Sequence, residues 1–506
     1  MVSSYRVAPN ADKWSPPPPP PPPPPTPSFD SLTIPTSGSS SQSIFLAQYS
    51  PAGRVYWVAR VEGVNVSNFI SATDADGNFY FPISWTSATA VVYNSTGSVA
   101  ATLSGTANGV LKFDKLGVYQ WFLSTPSFTV RSISIAPNQE FIIAGVYNTA
   151  TIAVRNLDFS IYSTLTRINT RDGLIVRYSS AGVVQWVART TATSSYGGGS
   201  GINSLICDAS SVIVCGGAGG AFTAYNSDGT TGTTMTLDPT TQSGWVAKYN
   251  SAGVVQWGVK GTTGGVAYSL ASRDASGAVY VTCLANNNPI FYNTNGSVFR
   301  SLTIGTRYVA ILMQYTSAGV GSYLVQAAGS LTNPSIQSMT ADADGNVLYG
   351  ITAGGSANNF ITFTNDNGST VAGPTNASYY YALAKVSTTG SVSWVNNVFT
   401  NTAGQHTPLS AGSDGSGGFY QSGQIQPGTS TFTNAGGGVG ATLGGTTKFG
   451  GTLAKYDTGG NVLWAARQNQ AGGNMSLGSL VVAADRITAL GTYVGTIGAT
   501  IYSAGL

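Results

Sequence analysis

Charged side chains are scarce in this chain, which has 22 lysines and arginines and 19 aspartates and glutamates among 506 residues. They make up 8% of the sequence, whereas soluble domains usually contain about 25%. The formal net charge of +3 is too small for the basic surface that binds nucleic acid. We therefore expect no nucleic-acid partner, and a surface covered mainly by hydroxyl, amide and glycine groups.

Long apolar segments are also missing. No apolar run reaches the roughly 18 residues that a membrane-spanning helix needs. The first fifteen residues, MVSSYRVAPNADKWS, contain no apolar core of a secretory signal. The sequence therefore predicts no membrane span, and it favours a protein that is made in a cytoplasm and assembled there.

Residues for catalysis and metal binding are equally sparse. The chain has one histidine, His406, which we expect in an exposed loop, so neither a zinc site nor a Ser-His-Asp triad can be assembled. Its three cysteines, Cys207, Cys215 and Cys283, are too few for a disulfide framework and are expected to be buried free thiols. We predict a protein without enzymatic activity, cofactor or metal.

The sequence does contain a repeated pattern of two apolar runs joined by a short turn that ends in glycine. The pattern occurs in seven copies, at residues 45–60, 110–123, 174–189, 245–260, 310–325, 382–397 and 452–467. Each run alternates apolar and polar residues and is rich in Val, Tyr and Trp, which is typical of β-strands. Each copy is therefore predicted to be a β-hairpin.

Two columns of residues define the repeat, and they recur every 64 to 71 residues. The predicted turn-closing glycines are Gly53, Gly117, Gly182, Gly253, Gly319, Gly390 and Gly459. The second strands carry an aromatic column, which we predict to be structural: Trp57, Trp121, Trp186, Trp257, Tyr323, Trp394 and Trp464.

A second hairpin follows each copy, most clearly at the DADGN turns that begin at Asp74 and Asp342. A third turn follows in some repeats, as at residues 92–99, 224–231 and 291–298. At least four strands per repeat and no helical stretch predict an all-β fold, a seven-bladed β-propeller of four-stranded antiparallel blades over residues 41–506. Calcium binding is an alternative role for the DADGN segments, but they lack further acidic ligands, and a turn role suffices.

A third column places a cation or an amide in each first strand, directly before an aromatic residue in six of the seven copies. Its members are Gln48, Lys112, Arg177, Lys248, Gln314, Lys385 and Lys455. A ring of such donors could bind an anionic glycan or phosphate. The favoured interpretation is structural, with each side chain packed between blades and paired with an acid or a carbonyl.

The N-terminal 40 residues differ from the rest of the chain. Residues 16–25 are an unbroken run of prolines, which would form a rod of about 31 Å as polyproline II. Residues 1–15 are predicted to be an anchor peptide in which Tyr5, Arg6 and Trp14 contact a partner, and residues 16–40 a linker. A disordered tail and a proline ligand for aromatic grooves are the alternatives. Residues 31–38 and 495–506 are expected to complete a blade shared by the two ends of the chain.

The motif formed by Ala247 to Trp257 together with Asp274 to Tyr280 resembles the SBBP repeat of seven-bladed propeller proteins. The resemblance extends over roughly residues 40 to 495 and implies the fold. Proteins with such repeats include bacterial surface and secreted proteins and particle-associated proteins of large algal DNA viruses. The family supplies no catalytic residue, and a propeller is a scaffold that carries many functions.

We therefore expect a non-enzymatic binding or structural protein, a propeller head tethered by its N-terminal peptide to the surface of a large DNA virus particle. Its expected partners are capsid proteins, through the tail, and a glycan or host receptor, through a propeller face. One alternative is a lectin or carbohydrate-active enzyme that uses the axial pocket. Another is a bacterial adhesin at the cell surface or outside the cell.

Overall fold

A computed structural model describes residues 31–34, 42–64, 70–86, 89–105, 107–194, 201–329, 334–353, 361–373, 380–400, 406–415, 417–425, 427–446, 448–470, 473–494 and 499–502. Within these ranges all regular structure is β-strand, so none of them holds a helix that could cross a membrane. The proline run and the predicted anchor residues Tyr5, Arg6 and Trp14 lie outside the described residues.

The strands from the first third of the chain are β1 (Ser31–Ile34), β2 (Gln42–Tyr49), β3 (Val55–Glu62), β4 (Ala72–Thr73), β5 (Phe79–Trp85), β6 (Thr89–Tyr93), β7 (Val99–Ser104), β8 (Ala107–Phe113), β9 (Tyr119–Ser124), β10 (Phe128–Ile135), β11 (Phe141–Tyr147), β12 (Thr151–Arg155) and β13 (Ile161–Thr166). Those from the middle are β14 (Asp172–Tyr178), β15 (Val184–Ser194), β16 (Gly201–Cys207), β17 (Ser211–Tyr225), β18 (Thr231–Thr236), β19 (Ser243–Asn250), β20 (Val255–Thr262), β21 (Ala267–Arg273), β22 (Val279–Ala285), β23 (Ile290–Tyr292), β24 (Val298–Ser301), β25 (Val309–Tyr315) and β26 (Gly321–Gly329). The remainder are β27 (Pro334–Ala341), β28 (Val347–Ala353), β29 (Ile361–Thr364), β30 (Thr370–Ala372), β31 (Tyr380–Val386), β32 (Val392–Thr400), β33 (His406–Ser413), β34 (Phe419–Ile425), β35 (Gly428–Thr433), β36 (Val439–Thr446), β37 (Gly450–Tyr456), β38 (Val462–Gln470), β39 (Met475–Ala483), β40 (Arg486–Val494) and β41 (Ala499–Tyr502).

Most sheets combine strands from neighbouring repeats, and the long strand β17 joins two such groups into one 11-stranded sheet. In the sheet ordered β21-β22-β25-β26-β29-β30, the first four strands form two consecutive hairpins. The outer pair, β29 and β30, lies in the chain between β28 and β31, which belong to the next sheet. The same arrangement recurs in the sheets ending in β7, β24 and β36. Apart from β12 and β13, which pair only with each other among the described strands, the outer hairpins therefore extend the sheet before them, and those sheets have more strands than the four predicted.

The two ends of the described chain meet in the same way. Strand β2 pairs with β40 along its full length, from Gln42 opposite Val494 to Tyr49 opposite Ile487. Strand β1 pairs with β41, which in turn pairs with β38. The chain termini therefore join the repeats into a ring, because the last repeat supplies the inner strands for the first.

Burial follows the position of a strand within its sheet. The third strands β14 and β25 are buried at every residue, because neighbouring sheets cover both of their faces. The outermost strands, such as β13, alternate exposed and half-buried residues. The apolar runs recognised in the sequence are therefore central strands, and the Thr-rich segments between them are edges.

One axial cavity of about 380 Å³ is surrounded by the innermost strands of the sheets, β4, β10, β16, β21, β27, β33 and β39. Seven segments line it: 70–73, 133–135, 204–206, 270–272, 337–340, 409–413 and 479–482. The first and last of these meet at the hydroxyls of Ser71 and Ser479, 2.7 Å apart. Sheets that radiate from a shared axis in this way form a β-propeller.

Candidate functional site

The tryptophan column joins neighbouring sheets. The indole Nε1 of Trp186, in β15, donates a hydrogen bond of 2.8 Å to the carbonyl of Ser251, in the turn between β19 and β20. Four others bond the equivalent turn of the next repeat, namely Trp57 to Lys115, Trp257 to Ser317, Trp394 to Thr458 and Trp464 to Pro51. Trp121 packs against Tyr80 and Phe141, and Tyr323 is buried. We conclude that these side chains bind the sheets to one another.

The turn glycines are required by the same contacts. Gly253 has a φ of +77°, and a Cβ placed on it would lie 2.9 Å from the indole of Trp186. In the last copy the residue with positive φ is Gly460 (+84°), against Trp394. The sequence prediction of Gly459 was therefore wrong by one residue, because the Thr-Gly-Gly turn offers two glycines and only the pairing of β37 with β38 selects between them.

We expect Gly253→Ala to destabilise the protein by about 2–4 kcal/mol, since alanine would occupy the left-handed region and also press on Trp186 and Ser227. Gly229→Ala is the matched control. Gly229 has a φ of +84° with no atom within 4 Å of an added Cβ, so it should lose only about 1 kcal/mol. Urea unfolding measures both. Equal losses would contradict the role given to the indole contact.

A column of asparagines connects the turns of the outer hairpins to the following sheet. The sequence did not predict this connection. The Oδ1 of Asn226, in the turn between β17 and β18, accepts a bond of 2.8 Å from the backbone N–H of Val255, in β20. The backbone N–H of Ser227 donates to the carbonyl of Gly253. Equivalent Oδ1 bonds are made by Asn94, Asn156, Asn293, Asn365 and Asn434. Each outer hairpin is therefore bonded at its turn to the sheet that follows its own.

The column of cations and amides is used in a similar way. Lys248 donates to the Ser317 carbonyl at 3.0 Å, and Gln314 donates to the hydroxyl of Tyr280 at 2.8 Å. Lys455 lies 3.6 Å from a carboxylate oxygen of Asp414. These contacts support the structural interpretation of the column over a ring of donors for an anion.

The DADGN segments are hydrogen-bonded turns. Oδ1 of Asp74 accepts from the backbone N–H groups of Asp76 and Asn78, and Oδ2 accepts from the Asn78 amide and from the hydroxyl of Tyr80. Tyr280 donates to Asp274 in the same manner, at 2.7 Å. Across the described ranges, no three His, Cys, Asp or Glu side chains are grouped as metal ligands.

The axial cavity carries no charged side chain among the residues that line it. Several of its serines are bonded to the neighbouring sheet. The hydroxyls of Ser204, Ser272 and Ser410 accept from the backbone N–H groups of Ala271, Ala341 and Leu480, at 3.0–3.2 Å. The cavity therefore offers a wall of aliphatic groups and bonded hydroxyls, without a carboxylate for acid-base chemistry.

The remaining nucleophile candidates are placed in strands. Cys207, Cys215 and Cys283 are free and buried, as predicted. Burial raises the pKa of Cys207 to about 11 and that of Cys215 to about 12, so their thiols are not activated. The prediction of a loop at His406 was wrong, because its backbone begins β33 opposite Ile425.

Two concave grooves lie beside the turns of outer hairpins. The first, which we call the Tyr162 groove, has a volume of about 620 Å³. Its lining includes Glu140, Tyr162, Arg177, Gln185, Trp186 and Asp228. The second, the Lys248 groove, has a volume of about 460 Å³ and lies one repeat further along the chain. Its lining includes Ser211, Lys248, Gln256, Trp257, Thr294 and Ser317.

The floor of the Tyr162 groove is an ion pair. Nε of the buried Arg177 donates to Oε2 of Glu140 at 2.7 Å, and Nη2 donates to the same oxygen. Nη1 of Arg177 donates to the Ser251 carbonyl, which also accepts from Trp186. Burial raises the pKa of Glu140, but the hydrogen bonds from Asn138 and Arg177 outweigh it and leave the pKa below its ordinary value. The carboxylate is therefore ionised at neutral pH.

Comparison with known proteins adds one relative and several folds. No protein-family model matches the chain. An uncharacterized WD repeat-containing protein of Acanthamoeba polyphaga mimivirus is 23% identical over 164 residues, which are 30% of this chain and only 12% of that protein. The match to the Dos1 propeller covers 88% of this chain and 93% of the Dos1 propeller chain, with 9% identity and a TM-score of 0.32. A eukaryotic initiation factor covers 85% and 96%, with 10% identity and a TM-score of 0.31.

The structural scores are too low to carry an argument, so the fold rests on the strand pairing and the shared axis. The strand pairing and the shared axis, together with the viral WD-repeat relative, support a β-propeller repeat protein. A propeller of this kind fits a binding or structural role.

Proposed function

We propose that this chain is a non-enzymatic propeller head of seven SBBP-type blades, with a structural or attachment role on a large DNA virus particle. The observation that carries the proposal is the use of the repeated polar residues. The tryptophan, asparagine and cation columns make bonds between sheets, as in Trp186 to Ser251 and Asn226 to Val255. Because these repeated residues stabilise the contacts between sheets, the chain suits display and attachment better than catalysis.

The axial cavity supports the same choice over a carbohydrate-active enzyme. Glycoside hydrolysis normally needs two carboxyl groups beside the scissile bond, and the lining of the axial cavity includes none. The viral relative favours a viral setting. The scarcity of charge, 8% of all residues, is compatible with a neutral displayed surface.

In this proposal the head is tethered by residues 1–15 through the polyproline linker, with Tyr5, Arg6 and Trp14 in contact with capsid proteins. Strand β1 starts at Ser31 on the outer edge of its sheet, where it pairs only with β41 among the described strands. A tail that leaves from an outer edge can reach a partner without crossing the axial cavity.

The test is co-sedimentation with purified particles. We expect the full chain to sediment with the particles and a chain lacking residues 1–15 to remain in the supernatant, while both show the same unfolding transition. Substituting Tyr5, Arg6 and Trp14 together by alanine should have the effect of the deletion. Substituting Ser3, Ser4 and Asn10 by alanine is the control in the same peptide and should not.

Equal sedimentation of both chains would contradict the tether and assign the contact to the propeller. If neither chain sediments, the placement on the particle fails.

A further inference from the structure

The repeat provides an internal reference for the Tyr162 groove. Both grooves are lined by a tryptophan, Trp186 or Trp257, whose Nε1 donates to the turn of the next repeat. Both are also lined by a cation, Arg177 or Lys248, and by a glutamine. These shared residues belong to the framework, so a special role must lie in the positions at which the two grooves differ.

The first difference is an aromatic wall. Tyr162 is the second residue of β13 and is 47% exposed. The same position is Gly232 in β18 and Phe299 in β24. A Cβ on Gly232 would lie 2.3 Å from Val255 of β20, and the ring of Phe299 lies against Gly321 of β26. At both positions, therefore, one residue of the contacting pair is large and the other is glycine. In the Tyr162 groove both Tyr162 and the equivalent neighbour, Val184, are large, which leaves the tyrosine ring at the groove wall.

The hairpin that carries Tyr162 departs from the others in two further respects. Its tip residue with positive φ is Phe159 (+68°), which is 59% exposed. The other outer hairpins have glycine there: Gly97, Gly229, Gly296, Gly368 and Gly437. Strands β12 and β13 pair only with each other among the described strands, whereas the other outer hairpins extend a sheet. A positive φ is energetically unfavourable for a bulky residue such as Phe159, and backbone strain of this kind is concentrated at functional sites.

The third difference is the set of acceptors. Glu140 and Asp228 line the Tyr162 groove, where the Lys248 groove has hydroxyl and amide side chains. Arg177 neutralises Glu140, which leaves the carboxylate of Asp228 as the uncompensated charge among these residues. Hydrogen bonds from Thr230 lower the pKa of Asp228, so it is ionised. A strongly cationic ligand would find little net charge here, but a ligand rich in hydroxyl donors would find charged acceptors beside an exposed ring.

We propose that the Tyr162 groove binds a neutral pyranose unit of a carbohydrate. The apolar face of the sugar ring stacks on Tyr162, and its hydroxyls donate to Asp228 and Glu140, with the amide of Gln185 at the rim. The groove volume of about 620 Å³ lies within the usual range of small-molecule sites, about 300–1,000 Å³. The site goes beyond the tethered head proposed above and does not depend on how the tail is anchored.

The experiment is saturation-transfer NMR on the full chain with the methyl glycosides of glucose, mannose, galactose and N-acetylglucosamine. We expect at least one of them to receive saturation at its ring protons and to bind with a dissociation constant near the millimolar range. Tyr162→Ala should weaken this binding by at least tenfold, and Asp228→Ala by several-fold. No particle is needed, so failure here is distinguishable from failure of the tether.

Two matched variants control for local folding. Phe299→Ala changes the residue equivalent to Tyr162, and Asn295→Ala removes the same turn bonds as Asp228→Ala, because Asn295 accepts from Ser297 as Asp228 accepts from Thr230. Both should bind the sugar like the unaltered chain. The proposal is overturned if none of the four glycosides binds, if the control variants lose binding equally, or if arginine ethyl ester binds the groove in their place.

Discussion

A chain that ends at residue 474 is expected to lose its cooperative fold. The truncation removes β39, β40 and β41, and with them the partner of β2 along its full length. Six large buried apolar side chains are lost: Met475, Leu477, Leu480, Ile487, Leu490 and Tyr493. At about 1.5–3 kcal/mol each, these contribute roughly 10 kcal/mol or more, which is comparable to the whole stability of a domain, about 5–15 kcal/mol. Far- and near-UV circular dichroism with thermal unfolding measures the result.

A chain that ends at residue 494 is the control for this truncation. It keeps β39 and β40 and removes only β41, which forms four residue pairs with β1 and two with β38. This chain should fold, with a lower Tm. A sharp unfolding transition in the shorter chain would show that the ring of sheets does not need to be closed by the C-terminal strands.

The sequence predicted the inner part of each sheet well, because its signals are local. A glycine turn between two alternating apolar runs specifies a hairpin within some 16 residues, as in 245–260. The exception in the last copy, Gly460 for Gly459, arises because register depends on both strands of the hairpin.

The pairing of the outer hairpins with the preceding sheet could not be predicted in the same way. Strand β29 pairs with β26, which precedes it by an entire inner hairpin, and it has only four residues. A short edge strand carries little periodicity, so only its partner identifies it. The turn signals at residues 92–99, 224–231 and 291–298 were recognised, but their place in the preceding sheet was not.

The asparagine column is a signal that the sequence contains, but a role within each turn already accounted for it. Asn94, Asn156, Asn226, Asn293, Asn365 and Asn434 recur at spacings of 62 to 72 residues. An Asn in a tight turn already has a sufficient local explanation. That explanation concealed its bond to a strand 25 to 29 residues away, as from Asn226 to Val255. The Tyr162 groove is harder still, because Glu140, Tyr162 and Asp228 come from separate segments that only the packed hairpins bring together.

The ion pair at the floor of that groove should respond unequally to removal of its two members. Glu140→Ala is expected to cost about 3 kcal/mol or more, because it leaves the charge of Arg177, whose side chain is 4% exposed, without its carboxylate, and an arginine cannot shed its proton. Arg177→Met should cost only about 1–2 kcal/mol, since the side chain of Glu140 is 23% exposed and water can solvate it.

The double variant Arg177→Met/Glu140→Ala should cost less than the sum of the two single variants, because no buried charge remains unpaired. The pair also predicts a pH dependence. The pKa of Glu140 is lowered in the fold, so the stabilisation is complete above the ordinary glutamate pKa and is lost as pH falls through the lowered value. Urea unfolding at pH 7 and at pH 3 measures both effects, and the gap between Glu140→Ala and the unaltered chain should narrow at the lower pH. If Arg177→Met were the costlier change, or if the gap were independent of pH, the carboxylate would not be what keeps the buried guanidinium in place.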